Sequence, residues 1–202
     1  MTELSKSIDP AAIEELLNRA TVGIAGIGGI GSHLAVLLVR AGVNNLTLVD
    51  YDTVEYGNLK RQYYFIDQVG QKKVDALNNT LKRINPHINC YSYDVKVTED
   101  NITQLFSHSD IIVEALDKAC VKKMFIEHCI KLFPGKKIVG VSGIAGINDC
   151  ELISTEKISE NLFIVGDFVS EISPPINLIS TRVCAAASMQ AHLVVQLILK
   201  LK

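Results

Sequence analysis

VGIAGIGGIGSHLAVLLVRAGVNNLTLVDYDTVEYGNLKRQ, residues Val22 to Gln62, decides the fold. A short apolar run ends in the glycine cluster Gly26-Ile27-Gly28-Gly29-Ile30-Gly31, an amphipathic helical pattern follows, and a second apolar run closes on Asp50. That order is strand, glycine loop, helix, strand, acid. Gly26, Gly28 and Gly31 fit G-x-G-x-x-G: the first permits a tight turn, the second lets backbone approach a phosphate, the third lets helix and strand pack closely. The helix N-terminus offers unpaired N–H groups and a positive dipole end to an anion. Asp50 stands where a carboxylate accepts from ribose hydroxyls. The stretch therefore predicts a nucleotide site. The residues after the acid are less usual for such a site: a second acid, Asp52, then Asn58-Leu59-Lys60-Arg61-Gln62.

Outward from this stretch, strands and helices alternate. Asp9-Pro10 reads as an N-cap with proline at the first helical position, opening a helix over 10–19. Thr21–Ala25 and Leu46–Val49 read as buried parallel strands, and Gly31–Ala41 as a helix ending at Gly42. Residues 51–69 read as mostly loop. Helices are expected over Gln71–Ile84, over 99–107 with Thr98 as cap, and over Lys118–Leu132. Strands are expected at Asn89–Tyr93, at Asp110–Leu116 ending on Asp117, and at Lys137–Val141. Two further strands near 150–154 and 162–165 are expected to pair antiparallel. Residues 166–181, with Pro174-Pro175, read as an irregular loop, and Arg182–Leu201 as the terminal helix. The pattern predicts one α/β domain over 1–202: a Rossmann-like, doubly wound, mainly parallel sheet with antiparallel strands in the C-terminal part.

At 202 residues the chain is long enough to bury a core without staples. Its net charge of −2, with no basic stripe, argues against nucleic acid as partner. Five cysteines, with no CxxC pair, give no structural zinc site by spacing and suit reduced thiols in a cytoplasmic protein. The first nine residues are polar and lack the apolar core of a secretory leader. Val183–Leu201 is apolar, but Ser188, Gln190, His192 and Gln196 interrupt it, so a buried or dimer-facing helix is expected rather than a membrane span.

Asp117 bears on which nucleotide binds. A bare carboxylate beside a pyrophosphate repels it, whereas one holding Mg²⁺ that bridges phosphate oxygens attracts it. Arg61 and Lys73 add two more cationic centres. Three such centres suit ATP better than NAD.

GIGGIGS, LVDYDTVEYGNLKRQ, GQKKVDAL and INPHI, followed by the strand-ending Asp, resemble the adenylating domain of the ubiquitin-activating-type superfamily, the ThiF/MoeB/HesA family. The short length and EALDKACVKK are most similar to the compact ThiF group of thiamine biosynthesis. The likeness runs over 20–145, weakens over 146–180 and returns in AAASMQAHLV. It implies that ATP adenylates the C-terminal Gly-Gly carboxylate of a ThiS-like sulfur carrier, with release of pyrophosphate. It further implies a homodimer. By motif position, Gly26, Gly28, Gly29 and Gly31 line the phosphate loop, and Asp50 binds ribose. Asn58, Arg61 and Lys73 contact phosphates, Asp117 holds Mg²⁺, and Asp52 and Gln62 order the loop; Leu59 and Lys60 lie on the same nucleotide-binding segment. Arg61, Lys73 and Asp117 are the implied catalytic groups. The chain departs from the family pattern in lacking CxxC pairs, in Lys118 after the metal Asp, in having no recognisable N-terminal arginine arm, and in having no assignable catalytic cysteine. Cys150 and Cys184 are the thiols nearest that role, with Cys184 expected to be buried. A non-catalytic nucleotide- or carrier-binding module, and a relative that adenylates a tRNA base, stand as alternatives.

Overall fold

β1 (Thr21–Ala25) is an inner strand of a seven-stranded sheet and leads into the glycine loop. The structure is a computed structural model, and it describes residues 9–171 and 178–200. Before β1 runs α1 (Pro10–Arg19), whose N-cap Asp9 accepts from Ala11 N–H at 3.2 Å. After it come α2 (Gly29–Arg40), β2 (Asn45–Asp50), α3 (Lys73–Ile84), β3 (Asn89–Asp94), α4 (Ile102–Phe106), β4 (Ile111–Glu114), α5 (Ala119–Leu132) and β5 (Lys137–Val141). The chain continues through β6 (Ser154–Lys157), β7 (Leu162–Gly166) and α6 (Ser180–Lys200). The strand order is β3-β2-β1-β4-β5-β7-β6, parallel throughout except for the antiparallel β6–β7 pair. The Rossmann-like, doubly wound sheet with an antiparallel C-terminal pair is therefore present.

Alternation along each strand feeds two apolar layers. Val22, Ile24, Leu46, Leu48, Ile111 and Val113 pack with Leu34, Leu77 and the inner face of α6. Ala25, Val49, Ile112 and Ile138 point the other way, against Phe106 of α4 and Phe125 of α5. Each fully buried Leu, Ile or Val contributes roughly 1.5–3 kcal/mol relative to exposure. Ser180–Leu199 is long and apolar enough to cross a membrane, yet 56% of that window is buried here, as befits a core helix. Ala186, Ala187 and Val194 are fully buried, and α6 packs most extensively against α2.

Several boundaries differ from the sequence reading, four of them for a visible local reason. The helix after residue 70 begins at Lys73 because Thr53 and Lys72 form an antiparallel bridge and Val54 N–H donates to the Gln71 carbonyl, holding residues 71–72 extended. The helix expected over 99–107 is confined to Ile102–Phe106, with Asn101 rather than Thr98 at its cap; the Asn101 side chain accepts from Thr98 N–H. Residues Cys150–Leu152 turn as a 3₁₀ segment, so β6 starts later than expected. β4 stops at Glu114 instead of running to Leu116, because Leu116 N–H turns onto the Glu114 carboxylate. α2 and α6 each begin two residues earlier than expected. Pro174-Pro175 lies outside the described residues.

At the carboxyl edge of β5 and β7, a buried Asp167–Arg182 pair joins three segments. Arg182 donates to Asp167 Oδ2 at 2.5 Å and to the carbonyls of Asn148 and Asp149 at 2.6 and 3.1 Å. Asp167 also accepts from the amides of Val169 and Ser170 and from the Ser170 hydroxyl. Burial raises its carboxyl pKa, but the bonds from Ser170, Val169 and Arg182 outweigh burial and hold it at about 2. That lies below the ordinary value of about 3.9, so the stabilisation is complete above about pH 4 and is lost as pH falls towards 2. Asp167→Asn leaves Arg182 buried without its charge partner and should cost on the order of 3 kcal/mol near neutrality. Thermal melts should show the gap between wild type and variant closing between about pH 4 and 2; a pH-independent gap would contradict the pairing.

Candidate functional site

The strand order reverses between β1 and β4, since β1 connects through α2 to β2 on one side while β4 lies on the other. The crevice beyond their carboxyl ends is where open α/β sheets bind ligands. Two turns meet there. Gly26, at φ +85°, bends the chain out of β1, and a Cβ on it would lie 2.7 Å from the Ala115 carbonyl oxygen. The turn after β4 is therefore pressed against the glycine loop. A Cβ on Gly31 would overlap the Gly26 carbonyl oxygen, so only glycine lets α2 start this close to β1. Gly28 is the N-cap of α2 and Gly29 its first residue, facing Val183 and the Arg61 carbonyl.

Asp50 ties the loop to the end of β2. Its Oδ2 accepts from Ile27 N–H at 2.8 Å and its Oδ1 from Asp52 N–H at 2.9 Å. Each oxygen keeps acceptor capacity for a further donor. From the other side the segment after Asn58 clasps the loop. The Ser32 hydroxyl donates to the Gly28 carbonyl at 2.5 Å and accepts from Tyr63 N–H at 2.9 Å. The buried Tyr64 hydroxyl donates to the Ile27 carbonyl at 2.8 Å. Burial, reinforced by Asp50 and Asp52, pushes the Tyr64 phenol up, so it stays a donor. Gln62 is buried, with its amide 3.6 Å from where a Gly28 Cβ would stand, and its Oε1 has no partner among the described residues. A buried unpaired acceptor beside a glycine loop suits a ligand's donor.

Asn58 builds the turn: its side chain accepts from Glu55 N–H, and its carbonyl receives the amides of Arg61 and Gln62. Leu59 packs against the larger apolar layer and Lys60 is exposed. Half-buried Arg61 donates to the Gly57 carbonyl at 3.1 Å. Lys73, buried at the start of α3, pairs with the half-exposed Asp52 at 2.7 Å. Asp117 is exposed, three residues past the end of β4, with no side-chain hydrogen bond or ion pair among the described residues. Those residues contain no group of three metal-ligating side chains. A single carboxylate still suits Mg²⁺, which takes most of its ligands from water and substrate phosphates.

Sequence reasoning missed three features. The Tyr63-Tyr64 clasp was legible only as two aromatics after the Lys-Arg-Gln run. Glu114, fully buried, pairs with Lys122 at 2.6 Å. Burial pushes the Glu114 carboxyl up despite Lys122. Cys184, expected buried, is half-buried in a groove of about 290 Å³, with its Sγ 3.5–3.6 Å from the ring nitrogens of His33. Burial lowers the His33 pKa, against a bond to the Arg61 backbone, so the ring is neutral near pH 7. Cys150 is exposed, whereas burial pushes the thiols of Cys90 and Cys129 up to about 11 and 12.

Among known proteins, the molybdopterin-synthase adenylyltransferase of Haemophilus influenzae is 33% identical over 133 residues, 65% of this chain and 53% of the relative. The tRNA threonylcarbamoyladenosine dehydratase of Bacillus subtilis is 35% identical over 119 residues, 58% of this chain and 47% of that protein. The chain thus spans about half the length of the curated relatives it matches. Among solved structures, the E. coli tRNA N6-threonylcarbamoyladenosine dehydratase TcdA in complex with ATP superposes with a TM-score of 0.84. That match has 22% identity and covers 93% of this chain and 89% of TcdA. The ThiF family model matches residues 4–202, which takes in the glycine loop, the clasping segment and the terminal helix alike, and the chain belongs to that family.

Proposed function

We propose that this chain binds ATP at the glycine loop and adenylates the C-terminal Gly-Gly carboxylate of a small ubiquitin-fold sulfur carrier of the ThiS type, in thiamine thiazole synthesis. The observation that carries the reading is the clasp of Asn58–Tyr64 over the loop through Ser32 and Ile27; the reading adds Arg61, Lys73 and Asp117 as the charged groups of the site. A dinucleotide dehydrogenase has no use for two cations and a free carboxylate there.

The carrier's carboxylate is ionised near pH 7, so no general base is required. Its oxygen attacks the α-phosphorus of ATP, the bond to the β-phosphate breaks, and pyrophosphate leaves with its charge. Catalysis is then positioning and charge stabilisation. Arg61 and Lys73 stabilise the phosphate oxygens, Lys73 exchanging its bond to Asp52 for one to substrate. Asp50 and the Gln62 Oε1 accept from the nucleoside. Asp117 would hold Mg²⁺, which when bound would supply positive charge to offset that of the phosphates. The protein works in the cytoplasm as a homodimer.

The names of the relatives support the reading. Those from H. influenzae and E. coli are molybdopterin-synthase adenylyltransferases, and TcdA was crystallised with both ATP and AMP. A tRNA-base substrate is the second reading, favoured by the B. subtilis relative and opposed by the net charge of −2.

ATP–pyrophosphate exchange should depend on an added carrier ending in Gly-Gly and not on tRNA. Exchange with tRNA alone would select the second reading, and no exchange with any encoded carrier would contradict the first. Arg61→Ala and Lys73→Ala should each lower the exchange rate about a hundredfold while the protein still melts cooperatively. Unchanged rates would remove those roles.

A further inference from the structure

Glu114 is an expensive residue to bury. Its side chain is fully inaccessible, between β4, β5 and α5, and an ionised carboxylate in such a place costs several kcal/mol unless it is paired. Apolar residues of similar volume usually serve stability as well or better, so its presence here asks for another reason. The contacts supply one. Oε1 accepts from Lys122 Nζ at 2.6 Å and from Leu116 N–H at 2.7 Å, and Oε2 from Val141 N–H at 3.5 Å. The absent side chain at Gly140 leaves space for Oε2, since a Cβ there would stand 3.3 Å from it.

These bonds hold one short turn at several points. Ala115 N–H still donates to the Ala25 carbonyl at 2.9 Å, so the turn begins in register with the strand that enters the glycine loop. One residue on, Leu116 N–H is captured by Glu114. Asp117 comes next, and α5 follows, its first turn tied back to Glu114 through Lys122. On the opposite face of the sheet, Gln190 of α6 donates to the carbonyls of Glu114 and Val139 at 3.3 and 3.2 Å.

We infer that the Glu114–Lys122 pair is a positioning element for Asp117, fixing the turn from β4 into α5 so that the Asp117 carboxylate meets the phosphates held by the glycine loop. The inference rests on the reading of Asp117 given above. It adds two residues that touch neither substrate nor metal, and it assigns the buried charge to geometry rather than to stability.

The test compares Glu114→Gln, Lys122→Met and Lys122→Arg with wild type. Calorimetry measures binding of a non-hydrolysable ATP analogue, first in EDTA and then across a Mg²⁺ titration; pyrophosphate exchange gives kcat and the KM for ATP. Glu114→Gln and Lys122→Met should bind the analogue in EDTA as wild type does, need about tenfold more Mg²⁺ for half-saturation, and lose about ten- to a hundredfold in kcat. Lys122→Arg, which keeps the charge, should remain near wild type. A folded Glu114→Gln or Lys122→Met with wild-type Mg²⁺ dependence overturns the inference. So does an equal loss of binding with and without Mg²⁺, which marks a general structural role. Should Glu114→Gln fail to fold, Lys122→Met, whose side chain is 22% exposed, carries the same test. Wild type that binds no analogue at all would instead overturn the ATP reading.

Discussion

A single hydroxyl joins the two halves of the site. Ser32 Oγ donates to the carbonyl of Gly28 and accepts from the amide of Tyr63, a residue 31 positions further along the chain. The first bond ties the hydroxyl back onto the first turn of α2, and the second docks the Asn58–Tyr64 segment on the glycine loop. Tyr64 adds a parallel bond to Ile27. Without this clasp the glycine loop would be a generic anion cradle at a helix N-terminus. With it, the Arg61 backbone and the Gln62 oxygen, unpaired among the described residues, are held beside the same loop, as the proposed triphosphate site requires.

The strong groups of the site each have a protein partner. Lys73 rests on Asp52, Arg61 on the Gly57 carbonyl, and Asp50 on the amides of Ile27 in the glycine loop and Asp52 beyond β2. Such partners hold side chains in place and can be exchanged for phosphate or ribose, which suits catalysis by preorganised charge. Asp117 differs: exposed and unpaired among the described residues, it depends on the turn beneath it for direction. That contrast is why a buried ion pair under the turn matters more than its modest worth to stability suggests.

The glycine loop, Asp50 and the run from Asn58 to Gln62 were legible because each is a local pattern with a local mechanism: a turn needing glycine, a helix start, a strand closing on an acid. The parallel sheet was legible for the same reason, from apolar runs alternating with helical periodicity. The end of β4 was not. DIIVEAL reads as one apolar strand, and only Glu114's bond to Leu116 shows where the chain leaves the sheet. Glu114–Lys122, Asp167–Arg182 and Cys184–His33 depend on which strand or helix lies beside which, a property of topology rather than of neighbouring residues. In the first two pairs, burial reverses what composition suggests, since charged residues are expected outside unless paired.

Adenylyl transfer makes a demand that simple nucleotide binding does not: the α-phosphate must move to the carrier while the outer two phosphates leave together. The most direct measurement follows label from ATP in the presence of a Gly-Gly-tailed carrier. Label in the α-phosphate should appear on the carrier as an acyl-adenylate, and label in the γ-phosphate only in pyrophosphate. Label from the γ-phosphate on the carrier, or a bound nucleotide whose α-label never reaches it, would rule out adenylyl transfer to the carrier.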